Sequence, residues 1–169
     1  MSKHDLTAGR LREALTYDAQ TGIFLRNINS RRRPSTKVKA GTTTVFGYIA
    51  IYLDGHTYTA HRLAWLYVYG EWPKGEIDHI NGDRTNNSIN NLRDVLRTIN
   101  SQNRRCSHAS KSTGLPLGVT FKRPSLAKPY CAAIHKNGKK IHLGYFSNIQ
   151  DAHEAYLNEK RKIHEGCTI

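Results

Sequence analysis

The apolar positions in the N-terminal part of the chain predict a helix, a strand and then a β-hairpin. The segment LTAGRLREALTYD places apolar residues at near-helical spacing, and Thr21 and Gly22 in AQTGIFLRN predict a turn before a short apolar strand. From residue 42 onwards, TTTVFGYIAIYLDGHTYTA contains two β-branched and aromatic runs separated by Asp54 and Gly55, a favoured pair for a two-residue turn. A hairpin is therefore expected there.

The next segment, HRLAWLYVYGEW, is predicted to be the core helix of this N-terminal region. It begins at His61 and Arg62, and Gly70 is placed to end it. Arg62 is equally compatible with a phosphate contact and with a purely structural role. Three aromatic residues of the helix have a spacing that favours packing over stacking on nucleic-acid bases: Trp65, Tyr67 and Tyr69.

A second folded unit is predicted from about Lys111 onwards. KSTGLPLGVTFKR indicates a strand, PYCAAIHKNGKKIHLGYF a hairpin turning at Asn137 and Gly138, and the remainder one amphipathic helix capped near Ser147 or Asn148. The stretch before it, NSQNRRCSHASKS, is polar, basic and rich in small residues, which is typical of a linker. Three strands and one helix make a complete small domain.

Charge is the strongest feature of the composition. The 169 residues include 26 Lys and Arg against 13 Asp and Glu, a formal net charge of +13 that favours a polyanionic partner, nucleic acid by default. Hydrophobic residues at 38% allow a modest core, and neither a membrane span nor a secretory signal is visible, so we expect a cytoplasmic protein. The three cysteines lack metal-type or paired spacing and are interpreted as reduced thiols.

A basic loop is predicted between residues 29 and 39, NSRRRPSTKVK. Pro34 interrupts it, and it has no apolar periodicity. The three adjacent arginines, Arg31, Arg32 and Arg33, suit a phosphate backbone, although a solvated surface loop explains them equally well.

Most of the candidate chemistry lies in EIDHINGDRTNNSINNLRDVLRTINSQN, residues 76–103. A short strand carrying Asp78 and His79 is followed by a turn-rich loop, then by Asn91, and then by a predicted helix with Asn100. The residues that follow the Asp-His pair in this loop, among them Asn81, Gly82 and Asp83, are assigned to turns.

Phosphodiester hydrolysis needs a base, a cation that stabilises the charged phosphate, and a group that orients the base, and this segment can supply all three. Asp78 and Asn100 offer hard oxygen ligands that suit Mg²⁺ or Mn²⁺ better than zinc. His79 titrates near neutrality and is the natural base, with a carboxamide oxygen of Asn91 to hold its other ring nitrogen. Since neighbouring strand residues point to opposite faces, the strand must bend near its end for Asp78 and His79 to share a site.

The order Asp78-His79, eleven residues, Asn91, eight residues, Asn100 resembles the ββα-metal motif of phage and intron HNH homing endonucleases. The local text DHINGDRTNN, NNLRDV and AHRLAW belongs to the same resemblance, which covers residues 41–103. It implies Asp78 and Asn100 as metal ligands, His79 as general base and Asn91 as its orienting partner. Bacterial toxins of this family have histidine metal ligands instead, so the chain looks closer to the branch that uses magnesium or manganese.

Residues 113–166 resemble the AP2 domain, known from plant transcription factors and also attached to phage HNH endonucleases. The marks are Gly118-Val119, LGYF at residues 143–146, and the helix segment at 152–156. The plant pattern usually has tryptophan where Tyr130 stands and more arginines on the sheet, so base preference is not carried over. The resemblance implies a sheet that lies in the major groove, and the candidate DNA-binding residues on it are Arg123, Tyr130, His135, Lys139, Lys140 and His142.

The prediction is thus an α+β protein in two parts that cuts double-stranded DNA. Residues 1–103 form the nuclease domain, with a ββα-metal core at about 74–103 and an N-terminal helix and hairpin at 5–70; residues 104–112 are a linker, and residues 113–169 are the AP2-like domain. A monomer would nick one strand, and a homodimer could cut both. Two alternatives remain open: a DNA-binding regulator whose HNH-like half does not cut, and an RNA-binding or RNA-cutting protein, which fits the AP2-like sheet poorly.

Overall fold

The chain divides into two units, Met1–Arg97 and Thr98–Ile169. The division falls within the helix that carries Asn100. Small antiparallel sheets and a few helices make up both units, a mixed α and β architecture as the sequence predicts. No helix in the described part of the chain is long and apolar enough to span a membrane. The computed structural model describes residues 6–27, 38–103, 114–123 and 127–168.

The first unit builds small antiparallel sheets and helices around one hydrophobic core. The elements are α1 (Ala8–Ala14), β1 (Leu15–Asp18), β2 (Ile23–Arg26), β3 (Val38–Lys39), β4 (Thr42–Thr43), β5 (Ile49–Leu53), β6 (His56–Thr59), α2 (Ala60–Tyr69), β7 (Glu76–His79) and β8 (Leu92–Val95), with α3 (Arg97–Gln102) at the division. The sheets have the strand orders β1-β2-β3, β4-β5-β6 and β7-β8. A short 3₁₀ turn, Ile89–Asn91, precedes β8.

The N-terminal helix is shorter than the apolar spacing suggests. Thr7 caps α1 by accepting a hydrogen bond from the backbone N–H of Arg10 at 3.2 Å. The next four residues form β1 instead of continuing the helix, because Leu15 and Tyr17 are buried alternately and the strand pairs with β2. The predicted order of helix and strand is confirmed, and the additional strand was missed.

Two turns shape the hairpin sheet. Asp54 and Gly55 have φ values of 49° and 84° and join β5 to β6, which confirms the predicted two-residue turn. A second turn, from Thr44 to Tyr48, divides the first β-rich run into β4 and β5 and was not predicted. Gly47 has φ 81° within it, a conformation that favours glycine.

Helix α2 lies in the core as predicted. It ends at Gly70, which adopts the left-handed conformation and donates its backbone N–H to the carbonyl of Leu66. Trp65 and Tyr67 both pack against the core, which confirms the packing interpretation for those two residues. Tyr69 is 55% exposed and contacts the ring of Trp65.

The second unit is a three-stranded sheet with one long helix, as predicted. Asn137 and Gly138 form the hairpin turn with φ values of 51° and 77°, and Asn148 caps the helix by accepting from the N–H of Asp151 at 2.8 Å. A Cβ on Gly118 would lie 2.0 Å from the ring of Tyr156, so only glycine fits there. The elements are β9 (Val119–Phe121), β10 (Tyr130–Lys136), β11 (Lys139–Phe146) and α4 (Ile149–Ile163), in the sheet order β11-β10-β9.

Candidate active site

The Asp-His pair lies at the end of β7, where the strand is buried. Asp78 is opposite Arg93 in the register with β8, and His79 is opposite Leu92. Both Asp78 and His79 are only 5% exposed. His79 is the last residue of the strand, and its carbonyl accepts the N–H of Gly82 at 2.8 Å, so the chain turns directly after the pair.

The carboxylate of Asp78 is held by Arg93. The Nε and Nη2 atoms of Arg93 donate to the same oxygen, Oδ2, at 2.9 and 2.7 Å. Both bonds end on Oδ2, so the guanidinium of Arg93 fixes the position of that carboxylate oxygen. Sequence reasoning missed Arg93, since only the β7–β8 register brings it opposite Asp78.

The ring of His79 is oriented by Asn87. His79 Nε2 and Asn87 Oδ1 are 3.2 Å apart, and Asn87 is itself 2% exposed. The Asn87 Nδ2 group donates to the carbonyl of Thr85 at 3.1 Å, which fixes the direction of the amide. An amide oxygen can only accept, so this pair assigns the proton to Nε2 and the basic lone pair to Nδ1.

The environment of His79 favours the neutral imidazole. Burial is the main effect and lowers its pKa, whereas the hydrogen bond to Asn87 and the negative charge of Asp78 act in the opposite direction. A neutral imidazole at physiological pH can accept a proton from water. The residue therefore has the protonation state that a general base requires.

Two aromatic rings complete the surroundings of His79. His61 meets it edge to face with ring centroids 5.1 Å apart, and Tyr48 lies 6.0 Å from His79 and 5.2 Å from His61. His61 is 8% exposed, its Nε2 is 3.2 Å from the Thr59 hydroxyl, and among the described residues its Nδ1 has no hydrogen-bond partner. Burial first, then the charges of His79 and Arg62, lower the pKa of His61 to about 3. Sequence reasoning placed His61 correctly at the start of the helix but did not connect it with His79.

Asn91 has a different task from the one predicted. Its Oδ1 accepts the backbone N–H of Asn81 at 2.9 Å, and its Nδ2 donates to the carbonyl of Asn86 at 2.8 Å. These bonds tie both ends of the loop between β7 and β8, and the carboxamide that reaches His79 is that of Asn87. The path of this loop decides which asparagine faces the ring of His79, and the spacing of residues along the sequence does not specify that path.

We expect Asn91→Ala to destabilise the protein rather than only the reaction. The substitution removes two partly buried hydrogen bonds, to the N–H of Asn81 and the carbonyl of Asn86, at about 1 kcal/mol each, so the free energy of unfolding should fall by about 2 kcal/mol. Urea unfolding measures this, with the exposed neighbour Asn90→Ala as the matched control. Unchanged stability together with lost activity would return Asn91 to the orienting role.

The β1–β2 hairpin supports the loop that carries Asn87. The Tyr17 hydroxyl donates to the carbonyl of Asn87 at 2.8 Å, and the N–H of Ile89 donates to the carbonyl of Ala19 at 3.0 Å. A Cβ on Gly22 would lie 2.3 Å from the backbone of Asn87, so the hairpin and the loop touch directly. The N-terminal sheet thus positions the residue that orients His79.

Each of the two predicted metal ligands has an oxygen that suits a hard divalent cation. Asp78, in the first unit, has a carboxylate, and Asn100, on α3 in the second unit, has an amide oxygen. Among the described residues no group of three His, Cys, Asp or Glu side chains is arranged to hold a metal ion. Mg²⁺ is usually bound by one or two protein oxygens together with water molecules and phosphate oxygens, and a carboxylate or amide oxygen is a suitable ligand of this kind.

The second unit presents most of its predicted DNA-binding residues to solvent. Arg123 follows β9 and is exposed. Tyr130 instead is half-buried and packs against the core of the unit, because it follows the same face as Ala132; the prediction of an exposed position was wrong. Arg31, Arg32 and Arg33 lie outside the described residues. The other candidates are all exposed, on or beside the β10–β11 hairpin: His135, Lys139, Lys140 and His142.

Comparison with known proteins gives one family match. Residues 58–102, about a quarter of the chain, match the family model described as HNH endonuclease. No curated protein matches significantly, and no solved structure does. The matched segment begins in β6 and contains α2, β7, β8 and α3, and with them Asp78, His79, Asn91 and Asn100. The segment that contains the Asp-His pair is thus similar to the HNH endonuclease family.

Proposed function

We propose that this protein is a metal-dependent DNA endonuclease in which His79 activates the attacking water. The observation that carries the proposal is the buried, neutral imidazole of His79, hydrogen-bonded to Asn87 beside the carboxylate of Asp78, within the HNH domain. Orientation and protonation state are the two properties that a general base needs, and both are built into this position.

In the proposed reaction Nδ1 of His79 takes the proton from water as its oxygen attacks phosphorus. The bond from phosphorus to the 3′ oxygen breaks, and the leaving 3′ oxygen takes a proton from the solvent. The Nε2–H bond to Asn87 holds the ring in place and stabilises the imidazolium that forms. HNH nucleases generally use a divalent metal, which would stabilise the charge on the phosphate and the leaving oxygen. Asp78 and Asn100 are the proposed ligands for Mg²⁺ or Mn²⁺, with Arg93 keeping the Asp78 carboxylate in position.

The products would be a 5′ phosphate and a 3′ hydroxyl, by resemblance to the homing-endonuclease branch. One ββα site cuts one strand, so a monomer nicks and a homodimer or two successive events give a double-strand break.

The second unit is proposed to be an AP2-like domain that directs the nuclease to its target. The exposed residues on the β10–β11 hairpin support this, because His135 and Lys140 are paired across the strands and His142 follows on the same face. Basic and aromatic-heterocyclic side chains on one sheet face suit phosphate and base-edge contacts. Arg31, Arg32 and Arg33 are proposed to add backbone contacts.

The test is incubation of the wild-type protein with supercoiled plasmid in Mg²⁺, in Mn²⁺ and in EDTA. We expect open-circular DNA with either metal and none with EDTA, and the ratio of open-circular to linear product reports on strand number. Tight DNA binding with no cutting in any metal and on any DNA tested would favour the regulator. Preferential cutting of RNA would favour the alternative that the protein acts on RNA.

A further inference from the structure

Among the described residues of the first unit, the most exposed apolar side chains lie at the turn between β4 and β5. Val45 is 95% exposed and Phe46 is 72% exposed, and they are adjacent at the tip. A single exposed apolar residue is ordinary in soluble proteins. Two neighbours displayed together at the end of a hairpin, on a chain this strongly charged, indicate a contact surface.

This tip is held firmly. The N–H of Thr44 donates to the carbonyl of Tyr48 at 2.8 Å, and the N–H of Gly47 donates back to the carbonyl of Thr44 at 2.9 Å. The N–H of Tyr48 also donates to the Thr44 hydroxyl at 3.2 Å. An ordered turn presents its side chains with little entropy left to lose on binding.

The tip is also joined to the candidate active site. Arg84, on the loop that follows His79, donates from Nη1 to the carbonyl of Phe46 at 2.8 Å. Its guanidinium lies 4.8 Å from the ring centroid of Tyr48, and that ring is 6.0 Å from His79. Arg84 thus connects the backbone of the tip to the ring of Tyr48, which lies next to the proposed general base.

We propose that Phe46 and Val45 form a wedge that contacts a base step of duplex DNA beside the scissile phosphate, with Arg84 on a neighbouring phosphate. The inference rests on the proposed function. Duplex DNA is the occupant that fits, because a base step offers an apolar face bounded on both sides by phosphates, and the tip offers an apolar side chain next to a cation. Proteins that bend DNA through the minor groove use phenylalanine in this way.

Two measurements test the wedge. In the first, Phe46→Ala and the control Tyr52→Ala, which removes a 61% exposed aromatic residue from β5 in the same sheet, are compared in plasmid nicking. We expect Phe46→Ala to lower kcat/KM about tenfold or more, the scale of one lost stacking contact, and Tyr52→Ala to change it little. Equal rates for Phe46→Ala and wild type would overturn the inference while the nuclease proposal stands.

The second measurement does not depend on cutting. Phe46→Trp and Tyr52→Trp are made in a His79→Ala background, and their tryptophan emission is followed while a duplex oligonucleotide of random sequence is added. Stacking on a base step should quench the emission of Phe46→Trp and leave that of Tyr52→Trp nearly constant. If the wild-type protein does not nick DNA but this quenching occurs, the proposed function fails and the wedge stands.

Absence of quenching in Phe46→Trp at saturating DNA would overturn the wedge. Self-association through the tip would also overturn it. In that case sedimentation velocity without DNA would show a larger species for the wild-type protein, and Phe46→Ala would abolish it.

Discussion

His79→Ala is expected to lower metal-dependent nicking by about a hundredfold to ten-thousandfold, the usual contribution of a positioned general base. The loss arises because His79 is the proposed proton acceptor and the neighbouring histidine cannot replace it: burial lowers the pKa of His61 to about 3, which makes it a weak base. Initial rates of plasmid nicking in Mg²⁺ measure the effect. DNA affinity, measured by fluorescence anisotropy, should remain close to that of wild type.

A matched control and a chemical rescue make this prediction specific. His56→Ala removes a half-exposed histidine from β6 in the same unit and should leave the nicking rate nearly unchanged. Added imidazole should restore part of the activity of His79→Gly, because a soluble base can enter the space that the ring leaves. Full activity in His79→Ala would remove this residue from the mechanism altogether.

The second large effect is a loss of stability in acid, caused mainly by His61. The pKa of His61 is about 3 in the folded protein and near 6.5 when unfolded, so below about pH 6.5 the unfolded chain binds a proton that the folded chain excludes. Stability is therefore complete above the unfolded pKa and falls as the pH decreases towards the folded one. Between about pH 7.5 and 5 the expected loss is about 2 kcal/mol.

The range from pH 7.5 to 5 distinguishes the effect of the buried histidines from that of carboxylates whose pKa values are lowered. The pKa values of Asp18, Asp54 and Asp83 are all lowered by hydrogen bonds, from Thr21, Arg10 and Thr85 respectively, so these groups titrate below it. The pKa of His79 is also lowered by burial, which adds a smaller effect of the same sign. The groups around His61 that act on its charge are His79 and Arg62.

Urea unfolding at several pH values measures the effect in wild type and in His61→Phe, which keeps a ring beside His79 but cannot bind a proton. His61→Phe should show a much smaller loss between pH 7.5 and 5, whatever its stability at neutral pH. The control His56→Gln should retain the wild-type slope. An unchanged slope in His61→Phe would mean that His61 is not the group responsible.

Several elements follow from short-range chemistry and were predicted from the sequence. Asp54-Gly55 and Asn137-Gly138 form tight turns because these residues adopt positive φ at low cost, and Gly70 ends α2 for the same reason. The strand carrying Asp78 and His79 and the helix carrying Asn100 also lie where the pattern predicted them. Each of these features depends on a few neighbouring residues, so it can be inferred from the local sequence.

The partners of the site residues could not be inferred in that way. Asp78 meets Arg93 only because β7 and β8 pair in one particular register, and a shift by one residue would turn the arginine to the other face. Asn87 contacts His79, and Asn91 holds the loop between β7 and β8 by hydrogen bonds, because the β1–β2 hairpin packs against that loop. Such contacts depend on the path of residues far apart in the sequence.

The sequence by itself determined the types of element, the residues able to do the chemistry and, through its charge of +13, the class of partner to expect. Only the tertiary structure decided which amide orients His79, which cation holds Asp78 and that a second histidine lies against the first. The physical reason is the range of the interactions. Backbone preferences act over a few residues, whereas burial, strand register and ring contacts arise only when distant segments pack together.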